Sequence, residues 1–491
     1  MSVPYVFTTY DQLKTAVNEW VEDKDLALIK YGPINEWNTT SITNMRNLFS
    51  YQSTFNENIN GWDTSNVTDM CGIFYGATRF NNGDVEGDSN TPLTWDTSQV
   101  IDMSYMFSGI NSNEENQLIF NQDISSWNTS NVMFMNNMFY NARLFNQDIS
   151  TKIVTSGDTS YTAWDTSNVS NMGDMFNNAN SFNQFIGNWN TGKVTNMSYL
   201  FRKAETFNNG KNSGEGGAPL NWNTAMATNM RFMFRDAKAF NQYIGDWDTS
   251  NVTSMLSMLD LAVTFNNGKN EGQGGAPLNW NTAKVTDMRD MFFLCDKFNQ
   301  YIGNWNTSNV ISMSGMLSSI FFNNGEIPGE EGAPLNWDTA KVTDMSSMFY
   351  FAFNFNQPIG NWDTSNVTDM SSMFRNSSNF NQDITNWNVA NVTTMQRMFN
   401  LAIAFNKNIT GWNTNPTILG DLQFLQANNW LNTYERKDGS SSTNGPPNLW
   451  QLKTDTREVG LSFKTKEEVS DVVLDQINRI DPRRLKDFEN I

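Results

Sequence analysis

The sequence predicts an α/β repeat solenoid capped at both ends, and three observations carry that reading. Fourteen of the seventeen tryptophans, from Trp37 to Trp412, fall on a ladder whose basal interval is 25 residues. Asp or Asn follows every ladder Trp, and a Met stands eight residues after each of the first thirteen, from Met45 to Met395. A Phe-Asn pair recurs thirteen times in the same phase, from Phe55-Asn56 to Phe405-Asn406. A period of this length marks one supersecondary unit that cannot bury its apolar face alone and must stack. About fourteen rungs result.

The stretch from Trp362 shows what one rung holds. Val367, Met370, Met373 and Phe374 are spaced as one face of a short helix. Asp363-Thr364-Ser365 before them offers N-cap chemistry. After a turn, Phe380 and Ile384 alternate as inward residues of an extended segment. Each rung is therefore expected to be a short strand plus a short helix, with the strands forming a parallel sheet. Burying one rung's aromatic and Met side chains gains on the order of 10 kcal/mol, less than the ~1–2 kcal/mol per residue needed to order its backbone. The Asn of each Phe-Asn pair is expected to form a ladder, its amide satisfying backbone groups of the adjacent turn.

Intervals longer than 25 contain insertions. Three share one pattern, N-N-G-K-N-S-G-E-G-G-A-P-L before Trp222 and its relatives before Trp280 and Trp337, and a fourth precedes Trp95. In the middle of the chain they return every second rung, a superperiod of 58 residues, 57 once. All enter between the strand Phe and the Trp, so they project from a single edge. That edge is a candidate binding surface carrying Asp84, Glu86, Asp88, Lys211, Glu215, Lys269, Glu271, Glu326, Glu330 and Glu331. Neutral duplication of a two-rung unit is the alternative. Asp84, Glu86, Asp88 and Asn90 have a calcium-loop spacing, but Trp95 stands where the bidentate Glu of an EF-hand belongs. The insertions at 111–117 and 151–161 read as ordinary surface loops.

The repeat is bounded by other material. Residues 1–36 form a helical N-terminal cap, with Leu13, Val17, Trp20 and Val21 on one helix face. The repeats run over 37–415. Gly420 stands where a core Met belongs, so 416–436 is read as a C-terminal cap with a helix from Leu422 to Leu431. Residues 437–447 look like a linker, and 448–491 a tail with one amphipathic helix. Val469, Val473, Ile477, Arg483 and Arg484 are candidate tail contacts.

Several function classes fit poorly. A formal net charge of −19, with no basic stripe, argues against a nucleic-acid partner. The chain has no His, which removes His-based triads, His-ligated zinc and the commonest general base. Cys71 and Cys295 are far apart and read as small buried residues rather than a disulfide or metal framework. Neither a phosphate-binding nor a dinucleotide-binding glycine motif opens a helix after a strand. No catalytic, cofactor or metal residue is assigned, and no enzymatic activity is expected. The N-terminus shows no secretory signal, and no apolar run reaches the ~20 residues of a membrane span.

The unit W-[DN]-T-S-N-V-T-[DN]-M-S-x-M-F, followed by F-N-Q-x-I-x-x-W, resembles the BspA-like leucine-rich-repeat surface proteins, a repeat known from mycoplasma lipoproteins and also from large algal DNA viruses. The likeness covers about residues 10–415. It implies a leucine-rich-repeat-like solenoid used in adhesion or protein interaction, with no catalytic residues to carry over. Bacterial members are typically secreted or lipid-anchored, whereas this chain shows neither a signal nor a lipobox Cys, and its tail has no counterpart in the repeat. The expectation is a non-enzymatic structural or surface component of a large assembly, such as a virion, that binds protein partners. A secreted or cell-surface adhesin for host protein or glycan is the alternative.

Overall fold

A computed structural model describes residues 4–110, 118–327, 332–414, 421 and 423–453. It shows a tandem-repeat stack in which each rung repeats one hydrogen-bonding scheme. Seven residues after each ladder Trp the chain makes a single parallel bridge to the next rung, in an unbroken column from Asn44–Asp69 to Asp369–Thr394. The sheet expected from the sequence is thus one residue pair wide, and it lies beside the core Met rather than in the F-N-Q segment.

The helix expected in each rung is replaced by consecutive β-turns. In the rung from Trp362, Met370, Ser372, Phe374 and Asn376 donate their N–H groups to the carbonyls of Thr394, Gln396, Met398 and Asn400 in the next rung, at 2.8 to 3.0 Å. Between them Met373, Arg375 and Ser377 donate to carbonyls three residues back. Every fourth residue enters the left-handed region, here Ser372 (φ 56°) and Asn376 (φ 64°). Such turns bury positions 370, 373, 374 and 377, which is the spacing of a helix face. The periodicity was real but its cause differs. A helix would spend each N–H inside the rung, whereas here alternate N–H groups tie rung to rung. The left-handed residues cost about 1–2 kcal/mol each where they are not Gly, offset by the inter-rung bonds. The Asp or Asn after each Trp likewise caps no helix. Its carboxylate or amide oxygen accepts the N–H two residues on, as Asp363 does from Ser365 at 2.9 Å.

Four columns of side chains fill the interior. Stacked ladder tryptophans such as Trp189, Trp222 and Trp247 have ring centres 6.1 to 6.3 Å apart and planes within 6°. From Trp62 on, each ladder indole Nε1–H donates to an Ile or Leu carbonyl of the preceding rung, as Trp387 does to Ile359 at 3.1 Å. That bond keeps a buried polar group satisfied. The phenylalanines of the Phe-Asn pairs form a second column, continuous from Phe55 to Phe405 and closed by Trp430. A third runs through Phe49, Phe74 and Phe107, and the ladder Met residues are fully buried beside it. Both cysteines are free and buried. A buried hydroxyl column completes the rung: Thr364 donates to the Asn388 carbonyl at 2.9 Å, and its equivalents do the same along the stack.

At the N-terminal end, helix α1 (Tyr10–Glu22), capped by Thr9, and helix α2 (Lys24–Tyr31), capped by Asp23, cover the first rung. Leu13, Ala16, Val17 and Trp20 are buried. The first rung has no predecessor to donate to its carbonyls, so the Tyr10 hydroxyl donates to Arg46 O at 2.9 Å and Lys14 Nζ to Leu48 O at 2.7 Å.

The far end departs from expectation. The stack does not stop at Gly420: Arg397, Phe399 and Leu401 donate to the carbonyls of Asp421, Gln423 and Leu425. Phe424 and Trp430 continue the two Phe columns. The helix there, α3 (Asn428–Thr433), is shorter and later than the periodicity suggested. Residues 437–447 do not hang free as a linker. Thr443 O accepts from Phe424 N, and Trp450 beyond them is buried against Phe424.

Of the two other insertions, 151–161 is not an irregular loop. Strands β1 (Lys152–Ser156) and β2 (Thr159–Ala163) pair as an antiparallel hairpin about Gly157-Asp158. Residues 111–117 lie outside the described residues. Strands β3 (Tyr434–Arg436) and β4 (Trp450–Leu452) pair at the C-terminal end.

Candidate interaction edge

The Phe-Asn asparagines build the ladder expected of them, and the insertion edge hangs from it. Each Oδ1 accepts the backbone N–H of the equivalent Asn in the next rung, in an unbroken series from Asn56–Asn81 to Asn381–Asn406 at 2.8 to 2.9 Å. Where a rung carries an insertion, the same side chain also fastens the loop. Asn81 Nδ2 donates to the carbonyls of Val85 and Asp88, and Asn208 Nδ2 to that of Glu215 at 2.9 Å.

Rungs without insertions bridge successive loops. Asn241 Nδ2 donates to Gly214 O of one loop and Lys269 O of the next, at 2.7 and 2.9 Å. Asn299 repeats this with Gly272 and Glu326, both at 2.9 Å. The loops also touch: a Cβ on Gly216 would lie 2.4 Å from Gly268 O, and one on Gly274 2.3 Å from Gly325 O. Glycine is needed there for close approach rather than for flexibility.

Each shared insertion opens with a left-handed Asn before Gly. Asn209, Asn267 and Asn324 accept the N–H of Ile186, Ile244 and Ile302 and donate back to the carbonyls of Ala218, Ala276 and Ala333. The following rung closes the loop, with the Oε1 of Gln242, Gln300 and Gln357 accepting the N–H of the same alanines. The final Leu of each insertion, such as Leu220, is buried, and its carbonyl accepts from the indole of the Trp one rung on, here Trp247 at 2.8 Å. These Asn and Gln residues set the loops but were not singled out from sequence. The signal was present in the repeated N-N-G that opens each insertion and in F-N-Q.

The candidate charges sit on this frame with few contacts of their own. Asp84 Oδ2 accepts from Asn90 N at 2.7 Å and Oδ1 from Val85 N at 3.0 Å. The Asn90 amide holds its carboxyl below the usual range. Its oxygens are thus used in shaping the loop. Glu86 lies 3.8 Å from Arg143, and Asp88 contributes its carbonyl to Asn81. Glu215 accepts from Asn212 N at 3.3 Å, while Glu271 pairs with Lys297 at 2.7 Å. The side chains of Lys211 and Lys269 are exposed, and their carbonyls are the ones bound by the ladder, to Asn183 and Asn241. Glu326 is half-buried. The geometry therefore brings Lys211, Glu215, Lys269, Glu271 and Glu326 into one row of stacked loops, with the loop of Asp84, Glu86 and Asp88 in an earlier rung. Glu330, Glu331, Val469, Val473, Ile477, Arg483 and Arg484 lie outside the described residues.

Among the described residues no group of three or more acidic or Cys side chains is placed to hold a metal ion, and no helix is long and apolar enough to cross a membrane. No match was found among curated proteins or among solved structures. The family model described as Mycoplasma protein of unknown function, DUF285, matches residues 15–112, 88–162, 152–271, 268–329 and 317–435, so this tandem-repeat chain belongs to that family.

Proposed function

We propose that the chain is a non-enzymatic protein-interaction solenoid of the BspA-like, leucine-rich-repeat type. Its place is as a structural or surface component of a large assembly, such as the virion of a large DNA virus. The observation that carries this reading is the row of loops. They are spaced by two rungs, their backbones are held by the amide ladder, and the side chains of Lys211 and Lys269 are exposed. A pre-ordered row of this kind loses little conformational entropy on binding, which favours use as a recognition edge. The acidic groups of the edge serve as loop-shaping acceptors and ion-pair partners, a use that suits recognition better than proton transfer.

The test is to purify the native particles or cells and locate the chain by mass spectrometry with chemical cross-linking. The proposal expects the chain within an assembly, cross-linked to a partner through Lys211 or Lys269. A chain missing from particles, or one labelled on intact cell surfaces, would overturn the assembly role in favour of a surface adhesin.

A further inference from the structure

The positions nine, ten and thirteen residues after each ladder Trp lie in the turn segment, away from the insertion loops in sequence, and in two successive rungs they carry an unusual group. Tyr199 and Phe232 stack with ring centres 4.8 Å apart. The guanidinium carbons of Arg202 and Arg231 lie 5.9 and 5.5 Å from the centre of the Tyr199 ring. Arg235, at the position matching Arg202 in the next rung, already has a carboxyl partner, its Nε lying 2.9 Å from Asp260 Oδ2. Arg202 and Arg231 form no such pair among the described residues. Both arginines act by charge on the largely buried Asp174, whose carboxylate already accepts from Asn177 Nδ2 at 2.8 Å. Arg202 Nε is moreover buried without a hydrogen-bond partner.

A buried donor left unmet costs about 1–3 kcal/mol, and more when charged. Two guanidinium forks held over one aromatic ring suit a carboxylate, which they can grip by paired N–H···O bonds. In a chain with 51 acidic and 32 basic residues, unpaired arginines are the scarce charge. We propose that Arg202, Arg231 and Tyr199 form a docking point for a carboxylate side chain of an acidic partner polypeptide. The Tyr199–Phe232 stack supplies the apolar bed for that side chain's methylenes, and Tyr and Arg are the residue types that dominate binding hot spots. Neighbouring rungs place Asp236, Asp260 and Asp290 along the same turn segments. That setting disfavours a dense polyanion and suits a spaced run of carboxylates. The inference concerns residues outside the loop edge and stands whether or not that edge binds.

Fluorescence anisotropy on the full chain tests it, with a labelled ten-residue peptide of alternating Glu and Gly as probe. A Gln-Gly peptide and a short heparin oligosaccharide are the comparators. Saturable binding of the Glu peptide alone is expected, weakened at least tenfold by the double variant Arg202→Ala/Arg231→Ala. Arg202→Lys/Arg231→Lys, which keeps charge but not the fork, should weaken it severalfold with an unchanged melting temperature, separating recognition from folding. The proposal is overturned by absent binding, by equal binding of the Gln peptide, or by tighter binding of heparin. It is equally overturned by indifference to the arginine variants, or by an equal loss in Lys211→Ala/Lys269→Ala.

Discussion

The interior columns and the insertion edge obey the same chemistry with different freedom. Inside, the rungs repeat one solution with few departures: a Trp column, a Phe column, a buried Met, a Thr hydroxyl that donates to the neighbouring backbone and an Asn Oδ1 that accepts from it. At the edge, chain length varies by up to eight residues between rungs, yet the loop backbones are met by the same Asn column and by Gln from the next rung. The difference teaches that the ladder is the invariant and the loop its passenger. Backbone polar groups must be satisfied wherever they are buried, whereas outward side chains are under no such constraint.

The sharpest way to break that contrast is to remove an interior side chain. Phe240→Ala or Trp247→Ala leaves a cavity in a continuous column and should cost about 3–5 kcal/mol in urea denaturation. Substitutions of the outward Lys211 or Lys269 should leave the denaturation midpoint where it is. Equal effects at the two places would erase the distinction.

A second, smaller effect is pH dependence. Burial pushes the carboxyls of Asp260 to about 8 and of Asp290 and Asp296 to about 6, outweighing the Arg235 ion pair at Asp260. Each then holds a proton in the folded chain that the unfolded chain has released. Their contribution is fully present below the ordinary carboxylate range and is lost as pH rises through the folded values. Between pH 8 and 5 the midpoint in urea should therefore rise on acidification, and Asp260→Asn should flatten the upper part of that rise. A midpoint that falls over this window contradicts the assignment.

The smallest effect belongs to the hydroxyl column. Val389 replaces its Thr in one rung and stays buried without a hydroxyl bond. Thr364→Val should cost only about 1 kcal/mol, and Val389→Thr should recover no more than that. A cost as large as that of Phe240→Ala would mean the column does more than satisfy a carbonyl.

Much of this was legible in the sequence. The period, the Trp and Phe columns, the buried Met and the Asn ladder follow from residue type and phase. The turn segment was misread because left-handed residues every fourth place, such as Ser372 and Asn376, bury the chain at helical spacing. Single-sequence periodicity cannot tell i→i+3 turns from a helix when the competing hydrogen bonds go to another rung. Asp363 was read as an N-cap for a related reason, since an Asx-turn uses the same acceptor on the same N–H. The return of 437–450 onto Phe424 is hidden because its Ser, Gly and Pro content is that of a linker, while its anchors, the Thr443 carbonyl and Trp450, leave no pattern in the sequence. At the edge the charges are plain in the sequence, but the loops are set by N-N-G and F-N-Q amides, whose role depends on a partner one rung away. Tyr199, Arg202 and Arg231 were invisible for the same reason, being brought together only by stacking.

The shared ladder is tested most directly at Asn241, the side chain that holds two loops at once. Hydrogen exchange by mass spectrometry on Asn241→Ala should show faster exchange in both 210–217 and 268–275, with the Trp and Phe columns of distant rungs still protected. Unchanged protection in both loops, or a loss confined to one, would contradict a common ladder beneath the edge.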